Sequence, residues 1–171
     1  MFSKKIKIEL EKKDDTIHLE PISDIHIGHV GFDEDLYKKR VKAICRDNKR
    51  YTFFGGDALD AITTYDRRFN PDMSIEHDID NQRQRWQDMS QKLFDIQKEQ
   101  KNEKVWSFYH GNHDYKIPQI TRSYLENTMC KPNGLTFMGS RGVMGLEITY
   151  KKKILSQWSI LFIHGSGGGK P

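Results

Sequence analysis

Polar and apolar residues alternate over residues 5–10, with Ile6, Ile8 and Leu10 on one side, as in a half-exposed strand. Lys13-Asp14-Asp15 reads as a turn and residues 16–23 as a second strand. Pro21 keeps that strand short or bulged, because it lacks an N–H for an inner ladder. Over residues 33–47, Leu36, Tyr37, Val41, Ile44 and Cys45 recur at helical spacing, with acids leading and bases following as the helix dipole favours. Residues 50–54 form a short buried-type strand, and residues 61–73 an irregular aromatic and basic loop. A long helix is predicted from Ile75 or His77 to Lys101, its apolar face marked by Trp86, Met89, Leu93 and Phe94. Residues 105–109 read as a strand and 118–129 as a helix closed by Pro132-Asn133-Gly134. Residues 135–138, 143–150 and 154–163 read as strands, the last two joined at a tip of Lys151, Lys152 and Lys153. With no internal repeat, the order β, α, β, α, β, α and then several strands predicts one layered α/β domain over 1–171.

Composition narrows this only a little. A chain of 171 residues, 36% hydrophobic and 30% charged, can bury a real core. It holds no apolar run near the roughly 18 residues that cross a bilayer. The opening Met1-Phe2-Ser3-Lys4-Lys5 leads into alternation and not into an apolar signal core, so a cytoplasmic protein without a membrane partner is expected. Cys45 and Cys130 lack paired spacing and read as reduced thiols. The net charge of +4 is compatible with an anionic substrate and identifies none.

Chemistry concentrates in four segments: Asp24-Ile25-His26, Gly55-Gly56-Asp57-Ala58-Leu59-Asp60, Gly111-Asn112-His113-Asp114 and Ile163-His164-Gly165. Three directly follow β-rich runs, and reactive groups of open α/β sheets gather beyond the carboxyl ends of strands. Asp24 and His26, two apart, would share one face of a strand and reach one metal. The paired glycines before Asp57 allow a sharp turn and a close approach of backbone. Asp, His and Asn together are ligands for divalent ions.

In this order the segments resemble the calcineurin-like metallophosphoesterases, whose pattern is D-x-H, G-D-x-x-D, G-N-H-D/E, an isolated His and G-H-x-H. The resemblance runs from about residue 20 onward. It implies two packed mixed sheets flanked by helices, an α-β-β-α layering with the second sheet incomplete here. It also implies two divalent ions, manganese first, with iron, zinc, nickel or magnesium as alternatives. By similarity Asp24 and His26 hold one ion, Asp57 bridges both, and Asn112 and His164 hold the other. His113 faces the substrate and assists the leaving oxygen, oriented by Asp60. Hydroxide held between the ions attacks phosphorus in line. Two carboxylates against two dications leave the centre net positive, which draws in a phosphate. The expected substrate is a phosphate ester, above all a phosphodiester such as nucleic acid, since Asp24-Ile25-His26-Ile27-Gly28-His29 is similar to the opening of members that act on diesters. Ala61-Ile62 stands where protein phosphatases of the family carry Arg-Gly.

The closing G-H-x-H has no counterpart after His164, which leaves each ion's shell one side chain short. Three readings follow. The chain is part of a longer enzyme, or an untypical ligand fills the gap, or this is a degenerate relative that acts as a binding module or needs a partner to complete the site. The last glycines, residues 165–169, do not form a phosphate loop, because His164 holds the first glycine position and Pro171 replaces the Ser or Thr. They read as a flexible connection. Outside the motifs, His29, Arg67 and Arg68 are candidates for contacting substrate, each against the alternative of a solvated loop residue. His110 is expected to pack at its strand end. The oligomeric state is not legible.

Overall fold

The computed structural model describes residues 2–99 and 104–165. Strand β1 (Phe2–Leu10) runs parallel to β5 (Arg141–Tyr150), which pairs antiparallel with β6 (Lys153–Ile163). A separate parallel sheet has the order β2 (His18–Ile22), β3 (Arg50–Phe54), β4 (Val105–Phe108). Its crossovers carry α1 (Glu34–Arg46) and α2 (Ile79–Glu99), as parallel neighbours require. Among the described residues this is a mixed α/β fold with two small sheets and helices.

The strand period of two in β3, and a register irregularity that re-phases β4 between Val105 and Phe108, sort the second sheet's side chains into two cores. Phe54, Val105 and Phe108 face the helices and meet Tyr37, Val41, Ile44, Trp86, Leu93 and Phe94. Tyr51, Phe53, Trp106 and Tyr109 face the other sheet and meet Ile6, Ile8, Met144 and Leu146. The first core is centred on aromatic edges, with Phe54 5.3 Å from Trp86 and Trp86 5.0 Å from Phe94 between centroids. Asp33 caps α1 by accepting the Leu36 N–H, and the Tyr37 and Ser90 hydroxyls tie α1 to α2. All buried apolar residues of the helices belong to the first core, so the outer helical layer of a four-layer arrangement is not among the described residues. β6 is an edge strand on which Trp158, Leu161 and Ile163 are exposed. No helix among the described residues is long and apolar enough to cross a membrane. Cys45 and Cys130 are unpaired.

Several sequence expectations need correction. The strand expected over residues 16–23 spans only His18–Ile22; Pro21 sits on the sheet edge, where no N–H is needed. α2 starts at Ile79, because the Asp78 carboxylate accepts the Asn81 N–H and fixes the boundary there. Its predicted end at Lys101 lies outside the described residues. The helix expected over 118–129 is broken. α3 (Ile117–Thr121) stops at Arg122, whose φ of 54° is left-handed, and a π-helical turn follows at Glu126–Cys130. The Thr121 hydroxyl turns back to the Ile117 carbonyl and accepts the Ser123 N–H, which competes with helix continuation. Residues 135–138 form no strand. Left-handed glycines at 134 and 139 confine them to one bridge, Phe108 to Phe137. The connection read at the glycine-rich end lies outside the described residues beyond Gly165.

The β1-β5 pairing carries a pH-dependent cluster. Glu147 accepts from Lys5 Nζ at 2.9 Å, Gln157 Nε2 at 2.9 Å and Lys7 Nζ at 3.1 Å. Lys5 first, then Gln157 and Lys7, hold its carboxyl at about 2, below its ordinary 4.5. A depressed carboxyl stabilises the fold above its unfolded value, and that contribution fades as pH falls from 4.5 toward 2. Glu147→Gln should therefore lose less Tm than the parent between about pH 6 and about pH 3, measured by circular dichroism. Equal losses would refute the assignment.

Candidate metal centre

β2 and β3 end side by side, and the chain beyond each continues in register. The N–H groups of Asp24, His26 and Ile27 donate to the carbonyls of Gly56, Asp57 and Ala58 at 3.0, 3.0 and 3.1 Å. Asp24 and His26 thus lie in a kinked loop and not on a strand, with φ of 53° and 51°. The shared-face argument for them fails, because β2 ends at Ile22. They approach Asp57 through backbone kinks instead, and Asp57 itself has φ of 49°.

Asp57 is the centre of the cluster. It is 3% exposed, and its Oδ1 accepts the His113 N–H at 2.8 Å. Its Oδ2 lies 3.2 Å from His164 Nε2 and 3.9 Å from His26 Nε2. Gly111 makes room for it, since a Cβ there would stand 2.0 Å from Oδ1. Gly56 lies under His164, where a Cβ would stand 2.6 Å from Nδ1. The His164 ring is fixed at Nδ1, which lies 2.9 Å from the Gly55 carbonyl. If Nδ1 donates to that carbonyl, a neutral imidazole turns its Nε2 lone pair toward the Asp57 carboxylate. Two acceptors facing each other call for a proton or a cation between them.

Asp60, 1% exposed, lies between two imidazoles. Its Oδ1 is 3.6 Å from His26 Nδ1 and 3.5 Å from His113 Nδ1, ion-pair contacts and not hydrogen bonds. Its Oδ2 has no hydrogen-bond partner among the described residues. Asp60, then Asp57 and Asp24, hold His26 above its ordinary pKa against the opposing effect of burial. Burial, helped by the nearby His26 and Arg68, pushes His113 below its own. His113 Nδ1 lies 2.5 Å from the Asp60 carbonyl and Nε2 lies 3.3 Å from Arg68 Nη1. That pattern suits a neutral ring donating at Nδ1 and accepting at Nε2. Asp60 therefore orients His113 through its main chain more than through its carboxylate.

The ligand atoms of Asp24, His26 and Asp57 lie within 4.8 Å of one another, as do those of His26, Asp60 and His113. Together with the opposed acceptors of His164 and Asp57 and the unpaired Asp60 oxygen, this donor set fits divalent cations. Asn112 is exposed on the loop between Gly111 and His113. Of the outlying candidates, Arg68 reaches the cluster. Arg67 is exposed and joins none of these contacts, and His29 Nδ1 accepts the N–H of its own neighbour Gly31. His110 packs as expected, its ring nearly parallel to Tyr115 and Phe137.

Three supporting residues carried no role in the sequence reading. Asp114, fully buried, accepts the N–H groups of Ala58, Leu59 and Gly111 at 3.2, 3.2 and 3.1 Å. It lashes the second and third motifs together, and burial raises its pKa to about 6 against those bonds. Its place in the tetrapeptide was the only available signal. Gln82, buried on α2, accepts the Ala61 N–H at 3.0 Å and donates to the Glu76 carbonyl at 2.6 Å. Asp66 binds both Arg68 and Lys116. Nothing in periodicity marks either one.

Comparisons with family models, with curated proteins and with solved structures give no match.

Asp114→Ala leaves three N–H groups unpaired in a dry interior, each costing roughly 1–3 kcal/mol when orphaned. Urea unfolding should register a loss of about 3 kcal/mol or more. A loss under about 1 kcal/mol would remove Asp114 as the tie between the loops.

Proposed function

We propose that the protein is a divalent-metal-dependent phosphoesterase acting by preference on phosphodiesters. The observation that carries the reading is the Asp57 carboxylate, set nearly dry at the end of β3 with histidines from the other three segments around it. Asp24, His26 and Asp57 would hold one ion, and Asp57, Asn112 and His164 the other. When bound, such a pair supplies charge neutralisation of the phosphate and water activation near neutral pH.

The chain's own side chains do the rest. Main-chain carbonyls at 55 and 60 fix the rings of His164 and His113, which leaves Nε2 of His164 toward Asp57 and Nε2 of His113 toward Arg68. Arg68, braced by three hydrogen bonds from its N–H groups to Asp66, presents its guanidinium beside His113 and can pair with two oxygens of a phosphate. In the free site His113 is a neutral acceptor. An arriving phosphate anion offsets its cationic neighbours and favours imidazolium, which donates from Nε2 to the departing oxygen.

A second reading, in which a partner chain must complete the site, draws support from the exposed β6 edge with Trp158, Leu161 and Ile163. Manganese binding without hydrolysis would favour it.

The test is hydrolysis of bis(4-nitrophenyl) phosphate with added manganese. His113→Ala should fall at least about a hundredfold, the usual contribution of a positioned proton donor, and Asp57→Asn should fall at least as far because it removes the carboxylate proposed to hold both ions. Arg68→Ala should mainly raise KM. Manganese-dependent turnover that persists in Asp57→Asn would overturn the proposal.

A further inference from the structure

Behind the third motif lies a cavity of about 590 Å³, within the range that takes small ligands. Its lining includes His110, Tyr115, Phe137, Tyr124, Leu125 and Arg122. Three of these rings form one nearly parallel wall. His110 is inclined 30° to Tyr115 and 20° to Phe137, with centroids 5.6 and 5.8 Å apart. Tyr115 is 60% exposed and Tyr124 69%, so much of each side chain is open to a ligand although His110 already stacks on Tyr115.

The wall belongs to the candidate centre by covalent structure. His110 immediately precedes Gly111 and its Nδ1 lies 3.2 Å from the Gly111 carbonyl. The same carbonyl accepts the Tyr115 N–H at 3.0 Å. The loop bearing Asn112 and His113 is therefore flanked at both ends by rings of the cavity. The Arg122 guanidinium has no ion-pair or hydrogen-bond partner among the described residues, and Glu126, whose carboxylate pairs with Lys131 Nζ at 3.4 Å, also lines the space. Flat apolar faces with one cation and one acceptor at the rim match a ring that carries both hydrogen-bond acceptors and donors at its edge.

The geometry points to this cavity as a nucleobase subsite, which makes a nucleotidyl phosphodiester the substrate class of the adjoining centre. The inference rests on the phosphoesterase reading for the word substrate, though base binding does not require it. A base stacked against Tyr115 leaves its sugar and phosphate to run along the loop toward His113 and Arg68. Stacking on an aromatic side chain tolerates any base, so little sequence preference is expected.

The test uses the full chain in excess EDTA and follows binding of AMP and of ribose 5-phosphate by NMR. AMP should bind at least about tenfold tighter than the abasic compound, and Tyr115→Ala should remove about tenfold for AMP only, the scale of one lost stack. Tyr115→Phe should retain the AMP affinity. Equal binding of the two ligands, or an unaltered AMP affinity in Tyr115→Ala with its fold intact, would overturn the subsite. Benzyl phosphate binding as tightly as AMP would also overturn it, by showing a general apolar pocket. Because no metal or turnover is involved, failure here leaves the hydrolysis assay unaffected, and failure there leaves this binding unaffected.

Discussion

A nearly buried carboxylate is costly unless its lone pairs are satisfied, and the organisation of this molecule follows from placing Asp57 in that position. One oxygen is held by the His113 N–H, and the other is left facing imidazoles. Satisfying the first oxygen requires residues 111–113 to pass over Asp57 at van der Waals contact or closer, which only glycine at 111 permits. Stabilising the second requires a positive charge, from protonated histidine or from a cation. The fold thus presents a buried carboxylate ringed by imidazole nitrogens, a donor set that could hold a divalent cation.

Such an arrangement needs a stiff support. Asp24, His26 and Asp57 all occupy left-handed backbone, each costing of order 1 kcal/mol or more for a residue with a side chain. That strain persists because the loops are tied on every side: to each other by main-chain bonds, to the third motif by Asp114, and to α2 by Gln82. α2 in turn is set by Trp86, Leu93 and Phe94 against Phe54 and Phe108, the residues that end the two strands feeding the centre. Burial of those aromatic side chains, roughly 1.5–3 kcal/mol each, is the reservoir that offsets the strain above them.

What could be read from the residue order is what periodicity and glycine chemistry express. The strands over 50–54 and 105–109 (the latter ending at Phe108), helix α1 and the hairpin at Lys151 follow from alternation, helical spacing and turn residues, whereas the meeting of Asp57 with His113 and His164 is expected from the order of the motifs after their strands and from the resemblance they carry. The kinks at Asp24 and His26 follow from neither, because Asp-x-His at a strand end looks the same whether or not the strand continues. Asp114 stood inside the most specific motif and still gave no hint that it serves the backbone and not a ligand, since both uses need a carboxylate. The broken helix at Arg122 was hidden because residues 118–129 have acceptable helical propensity, and a threonine hydroxyl decides the matter locally.

The loop over residues 61–73 shows why position within a loop is the hardest feature to infer. Arg67 and Arg68 are neighbours with the same chemistry, yet only Arg68 meets His113. The difference is made by Asp66, whose side chain is 8% exposed and accepts the main-chain N–H and two guanidinium N–H groups of Arg68 while also binding Lys116. Arg68 and Lys116 together hold the Asp66 carboxyl far below the usual carboxylate range. An arginine so braced loses little rotamer freedom when an anion arrives, which is the physical reason it suits a phosphate better than a free side chain would. Lys116 follows Tyr115 directly, so the brace on Arg68 and the aromatic wall are fastened to one short turn. On the reading proposed above, charge recognition and stacking would be positioned by the same few residues around His113, and a change in either should be transmitted through that turn to the other.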